Sequence, residues 1–175
     1  MKQVNHTNNI LGYVLALKSQ YQRESLIEAF ARNNEKLSAL ASDIPFDSPK
    51  DCHYKRQVLG KEFNDNETYD ENFEVIMGHW KPTKTSCRIH GHPQYMYYQI
   101  LSGKYLMHLY KIIDTQQKIV EPVQSMIMLP GDTFGICAQS RTMCNGIHSM
   151  QCLEAGQTLH IYSDDALKGE IFTKK

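Results

Sequence analysis

From His53 to Ser163 the sequence is a string of short segments that alternate or run apolar, each closed by turn residues. That punctuation constrains the fold most, because many short strands at regular spacing close as a sandwich or a barrel. His53 to Leu59 is the first segment, with Tyr54 and Arg56 on one face of the strand. A polar loop over 60–72 precedes a strand from Phe73 to Trp80, and Pro82 marks a turn over 81–85. Extended segments are predicted over 87–92, 95–101 and 104–112, followed by a hairpin near 114–117. Strands over 125–129, 133–138, 146–152 and 158–163 complete the set, with Pro130-Gly131-Asp132 as a strong turn signal.

Ahead of the strands the period changes. From Asn9 to Arg32 apolar residues recur at intervals of three and four (Leu11, Val14, Leu15, Leu26, Ile27, Phe30), which predicts helix in two pieces broken near 22–25. Leu37 to Leu40 extends that helix or adds a turn, and residues 1–9 read as polar and frayed. Pro45 and Pro49 stop the helix, since each disfavours the α region for the residue before it. The expected organisation is one domain over 1–175, helical over about 8–42 and β-barrel over about 52–165. No repeat, low-complexity tract or linker is present.

Composition narrows the partners. Nineteen basic and 19 acidic residues give zero formal charge, which argues against a nucleic-acid or membrane-surface binder. The octet Ile10–Leu17 is apolar, but no small-residue cleavage site follows it and it is too short to span a bilayer. Five cysteines without a C-x-x-C pair, and no convincing secretory signal, predict reduced thiols in a soluble cytoplasmic protein. A monomer or a weak homo-oligomer is expected, a point the sequence does not fix. The cysteines read as small core residues, with Cys144 and Cys152 flanking His148. His6, His53, His79 and His108 show no partner pattern and read as structural or surface residues.

The chemistry gathers around His90-Gly91-His92. In an extended segment, residues two apart share a face, so two imidazoles can grip one metal ion and leave its other side open. Thr158, His160 and Tyr162 are also spaced by two, so hydroxyl, imidazole and phenol align on one face and can form a hydrogen-bonded relay that orients the phenol. Tyr95, Tyr97 and Tyr98 read as barrel packing, alternate members being able to wall a pocket.

The run His90-x-His92, three residues, Met96, six residues, Gly103 resembles the first motif of the cupin family. That resemblance implies an all-β jelly-roll barrel, here with short N-terminal helices. A closer resemblance, over about 52–163, is to the cysteine dioxygenases, small cupins that oxidise a thiol to a sulfinate with non-haem iron. It is carried by Tyr54-Lys55-Arg56, Trp80 ahead of the His pair, Gly146-Ile147-His148, and Thr158-Leu159-His160-Ile161-Tyr162.

The resemblance implies one Fe(II) per chain held by His90, His92 and His148, with a small-molecule thiol and O2 as partners. It implies Arg56 as a bidentate clamp for the cysteine carboxylate, Tyr54 as a pocket wall, and Tyr162, His160 and Thr158 as the catalytic relay. Cupins usually carry Glu at the Met96 position. Three neutral ligands would leave the full charge on the metal and favour a substrate that brings its own anion, such as a thiolate. The sequence departs from animal members, which have Cys at Met96, cross-linked to the Tyr matching Tyr162. It also has Gly91 where Asp is common, and one extra residue between Trp80 and His90. The expected reaction is oxidation of L-cysteine to cysteine sulfinate. Alternatives are a dioxygenase of 3-mercaptopropionate (Gln being usual at Arg56) or another small thiol, and a non-catalytic metal-binding cupin for small molecules. A sugar-phosphate isomerase would want Glu at Met96 and basic residues for phosphate, and neither is evident.

Overall fold

The computed structural model describes residues 6–50, 52–63, 72–138 and 142–175. Most of the expected polar loop over 60–72 and the start of the N-terminal polar stretch lie outside the described residues. Among the described residues three α-helices come first, α1 His6–Gln20, α2 Arg23–Arg32 and α3 Asn34–Ala41, and all strands follow them. Ten strands follow, starting with β1 Tyr54–Glu62, β2 Phe73–Trp80, β3 His90–His92, β4 Tyr95–Ile100 and β5 Lys104–Asp114. The remainder are β6 Ile119–Met128, β7 Thr133–Cys137, β8 Asn145–Glu154, β9 Gly156–Tyr162 and β10 Thr173–Lys174.

The strands form two five-stranded sheets, ordered β1-β2-β9-β4-β7 and β10-β6-β5-β8-β3. From β2 to β5 the chain switches sheet at every strand, turns back in the β5–β6 hairpin, and switches again through β7, β8 and β9. The returning strands insert between the outgoing ones: β9 pairs antiparallel with β2 and β4, and β8 with β3 and β5. This nesting is a jelly roll, the all-β architecture expected from the sequence.

Differences from the expected elements have local causes. The strand expected over 87–92 is regular only at His90–His92, because the chain before it makes single bonds to separate partners: Cys87 N–H to Met150 O, and Phe172 N–H to Ile89 O. β6 begins at Ile119 rather than Ser125, its first half masked in sequence by Pro122. On that side β6 meets β10 only at Ile119 and Val120, so Pro122 sits where no ladder partner is needed. In α1 the buried stripe is Ile10, Val14 and Leu17, whereas Leu15 is exposed. Of the cysteines expected in the core, Cys52 and Cys137 are exposed, Cys87 and Cys144 are half-buried and Cys152 is buried, all as free thiols. No helix among the described residues is long and apolar enough to cross a membrane.

Two cores result from the strand period. One lies between the first sheet and the helices, where Phe30, Leu37, Val75, Met77, Tyr97, Leu159 and Ile161 pack. The other fills the space between the sheets with Ile76, Trp80, Met96, Tyr98, Met107, Met150 and Tyr162. Burying each of the larger apolar side chains contributes about 1.5–3 kcal/mol, so the helix layer anchors the outer face of the sheet whose inner face carries the site.

Candidate metal centre

β3 and β8 run antiparallel with His90 directly opposite His148, so the ladder itself brings a histidine 58 positions away beside the His-x-His pair. The register slips between His90 and His92, which pairs with Asn145. The three ring centroids form a near-equilateral triangle, with separations of 4.7 Å (His90–His92), 4.9 Å (His90–His148) and 4.7 Å (His92–His148). A ring nitrogen from each lies within 4.8 Å of the others.

Gly91 accounts for the close approach of the strands. A Cβ there would stand 2.4 Å from the Met143 carbonyl oxygen and 2.8 Å from the Cys144 Cα. Any side chain at this position would push β3 away from β8, so glycine lets these two strands carry the three histidines at this spacing.

Backbone carbonyls fix two of the tautomers. His90 Nδ1 donates to the Arg88 carbonyl at 2.7 Å, and His148 Nδ1 donates to the Gly146 carbonyl at 2.9 Å. Each therefore keeps its lone pair on Nε2, as a metal-binding imidazole requires. His92 is 2% exposed and neither of its ring nitrogens has a hydrogen-bond partner. Burial, followed by mutual repulsion within the cluster, holds His92 well below the ordinary histidine value and lowers His148 to about 3. Burial also lowers His90. Three uncharged imidazoles, one with buried nitrogens left without partners, fit a divalent transition-metal ion.

A cavity of about 150 Å³ opens beside this triangle. Its walls are aromatic (Tyr54, Trp80, Tyr98 and Tyr162), with Cys87 and Met150 also lining it. His90, His148 and His160 complete the lining. The Tyr162 ring stacks on His92 with centroids 5.4 Å apart. Cross-strand pairing sets Met96 opposite Tyr162.

Behind the phenol runs a line of hydrogen bonds. Trp80 Nε1 donates to Thr158 Oγ1 at 2.8 Å, Thr158 Oγ1 and His160 Nε2 are 2.7 Å apart, and His160 Nδ1 and Tyr162 Oη are 2.8 Å apart. Indole can only donate, so Thr158 accepts from it and passes its own hydrogen to His160 Nε2. His160 Nδ1–H then donates to Tyr162 Oη, leaving the phenolic hydrogen free for a ligand. Burial raises Tyr162 well above the ordinary tyrosine value and pushes His160 well below that of histidine, so both stay neutral. Gly78 makes room for this line, since a Cβ there would lie 2.5 Å from Thr158 Oγ1 and 2.9 Å from Trp80 Nε1.

The structure thus brings together His90, His92, His148, Tyr54, Thr158, His160 and Tyr162. Arg56 is placed differently. It does not line this cavity; its guanidinium forms an ion pair with Glu74, whose side chain is 1% exposed. Glu74 was not legible as a site residue, although an acid inside the apolar run Phe73–Trp80 is an anomaly that could have pointed to it. Tyr98 was legible only as packing. It meets His160 edge-on at 4.2 Å and donates to Met150 Sδ at 2.8 Å. Cys87 carried no sequence signal. Away from the site, His79 has a structural role, accepting from Asp47 N–H at 3.1 Å and bonding Gln57 Oε1 at 2.9 Å.

No protein-family model and no curated protein matches the chain. Among solved structures it is similar to a cupin superfamily protein from Desulfitobacterium hafniense DCB-2, at 15% identity and a TM-score of 0.46 over 74% of this chain and 88% of that one. A conserved protein with a double-stranded beta-helix domain from Klebsiella pneumoniae gives 14% identity and a TM-score of 0.48, over 74% and 92% of the two chains. A chain from the crystal structures of the DMSP lyases RdDddP and RnDddQII gives 16% identity and a TM-score of 0.48, over 85% and 77%.

Proposed function

We propose that this chain is an iron-dependent dioxygenase of small thiols, joining RSH and O2 to give RSO2H with both oxygen atoms in the product. One observation carries the reading: a cluster of three uncharged imidazoles stands at a small, largely apolar cavity, two of them (His90 and His148) lining it together with a phenol held in place by a buried hydrogen-bonded line. When bound, Fe(II) would supply the redox partner that lets dioxygen react with the thiol and would acidify the thiol itself.

The chain's own residues do the rest. His90, His92 and His148 would hold the ion on one side and leave the cavity side open. Aromatic walls exclude water and limit the substrate to a short thiol. Tyr162, kept protonated by burial, donates a hydrogen bond to the bound reactants, and His160 and Thr158 keep its oxygen from rotating. The donors are fixed before the substrate arrives, so little reorganisation is needed during the reaction.

Oxygen uptake by the ferrous protein, measured against a panel of short thiols, tests the reading. The expected result is one O2 consumed per thiol, with sulfinate as product and both atoms of labelled oxygen retained in it. Absence of uptake with every thiol, from protein that carries iron, would refute it.

A further inference from the structure

The ion pair between Arg56 and Glu74 bears on which thiols the cavity can take, an inference that rests on the thiol dioxygenase reading above. Glu74 sits on β2 with its side chain 1% exposed; one carboxylate oxygen meets Arg56 and the other accepts from Ala166 N–H at 3.2 Å. Both oxygens are therefore engaged, and the carboxylate has no solvent to turn to. A substrate carboxylate reaching for Arg56 would have to displace Glu74, leaving a buried anion uncompensated, or lie beside it as a second negative charge. Among the described residues that line the cavity there is no Lys or Arg to serve as another cation.

We propose that the cavity takes a short thiol without a carboxylate, of the 2-aminoethanethiol type, because Glu74 already occupies the guanidinium that an amino-acid carboxylate would need. Glu74 is then a specificity determinant, neutralising Arg56 without touching the reacting atoms. The small volume of about 150 Å³ and the aromatic walls suit a compact thiol whose tail carries no anion.

Trp80 is the chain's single tryptophan and lines the cavity, so its fluorescence reports occupancy of this site alone. The test titrates the full ferrous protein, under nitrogen, with 2-aminoethanethiol and separately with cysteine. The expected half-saturation for 2-aminoethanethiol is at least about tenfold lower than for cysteine. In Glu74→Gln, which keeps shape and removes charge, cysteine should tighten by about fivefold or more while 2-aminoethanethiol moves less than about twofold. Equal or tighter cysteine binding by the wild-type chain would overturn the inference and leave the dioxygenase standing. Weaker cysteine binding by folded Glu74→Gln would also overturn it, since Glu74 would then be positioning Arg56 for a carboxylate. If circular dichroism shows that the variant does not fold, the wild-type order decides. Failure of both thiols to change the signal would remove the thiol site itself, and the proposed function with it.

Discussion

Tyr97 and Tyr98 are neighbours on β4, each 1% exposed, yet they belong to different parts of the molecule. Tyr97 points out of the barrel into the helix layer, with its ring 5.5 Å from Phe30. Tyr98 points into the barrel, 4.2 Å from the His160 ring. The same parity runs along the sheet. On β9, Leu159 and Ile161 pack against the helices while Thr158, His160 and Tyr162 form the inner line. On β2, Val75 and Met77 face out, whereas Ile76 and Trp80 face in. The lesson is that burial alone does not separate scaffold from site. Two faces of one sheet are equally dry; one packs mainly apolar side chains against the helices, and the other carries the hydrogen-bonded line from Trp80 to Tyr162.

This contrast can be broken most forcefully from outside. Tyr97→Ala removes a ring from the helix-facing core and should cost about 3–5 kcal/mol of stability in urea unfolding. Metal affinity of the molecules that remain folded should be little changed. A large affinity loss would mean that the two faces are not separable.

An inner-face change should do the reverse. Thr158→Val keeps shape but leaves Trp80 Nε1 and His160 Nε2 without partners, at a cost of about 1–3 kcal/mol. Thiol oxidation should fall by about tenfold, less than the 10²–10⁴-fold expected for loss of a full acid–base group. Thr158→Ser should restore most of it, and an unchanged rate in the Val variant would remove the relay from the mechanism.

The smallest effect is the pH response of the metal-free protein. His90, His92, His148 and His160 are all held below their unfolded value of 6.5 by burial. The unfolded chain therefore takes up protons first as pH falls. Stability is full above about 6.5 and declines below it, continuing towards about 3 for His148. Each such histidine contributes at most about 1.4 kcal/mol per pH unit. His148→Gln should flatten the slope between pH 6 and 5 by about that amount, read from urea midpoints. An identical slope would mean that His148 is not buried as described.

How much of this the sequence revealed follows the same division. β2 was legible to the residue, because a mainly apolar segment between polar flanks reads as a buried strand despite Glu74 and His79, and the line Thr158-His160-Tyr162 was legible because residues two apart share a face in any strand. His148 could be joined to His90 only through family resemblance, since pairing across 58 positions depends on register. Arg56 shows the limit more sharply. Its ladder partner is Gly78, but its guanidinium reaches diagonally to Glu74, a contact that neither period nor motif predicts. The glycine at position 91 answers to the backbone of Met143 and Cys144 pressed against it, a contact between residues more than 50 positions apart that no local pattern encodes.

The central claim is that His90, His92 and His148 jointly hold one ion. Metal analysis of the purified chain, alongside His90→Ala, His92→Ala and His148→Ala, tests it most directly. The account predicts one Fe(II) per wild-type chain and a loss of more than about 100-fold in affinity for each variant, exceeding the roughly 10–100-fold effect of a ligand's outer partners. Full iron occupancy in folded His148→Ala would contradict it.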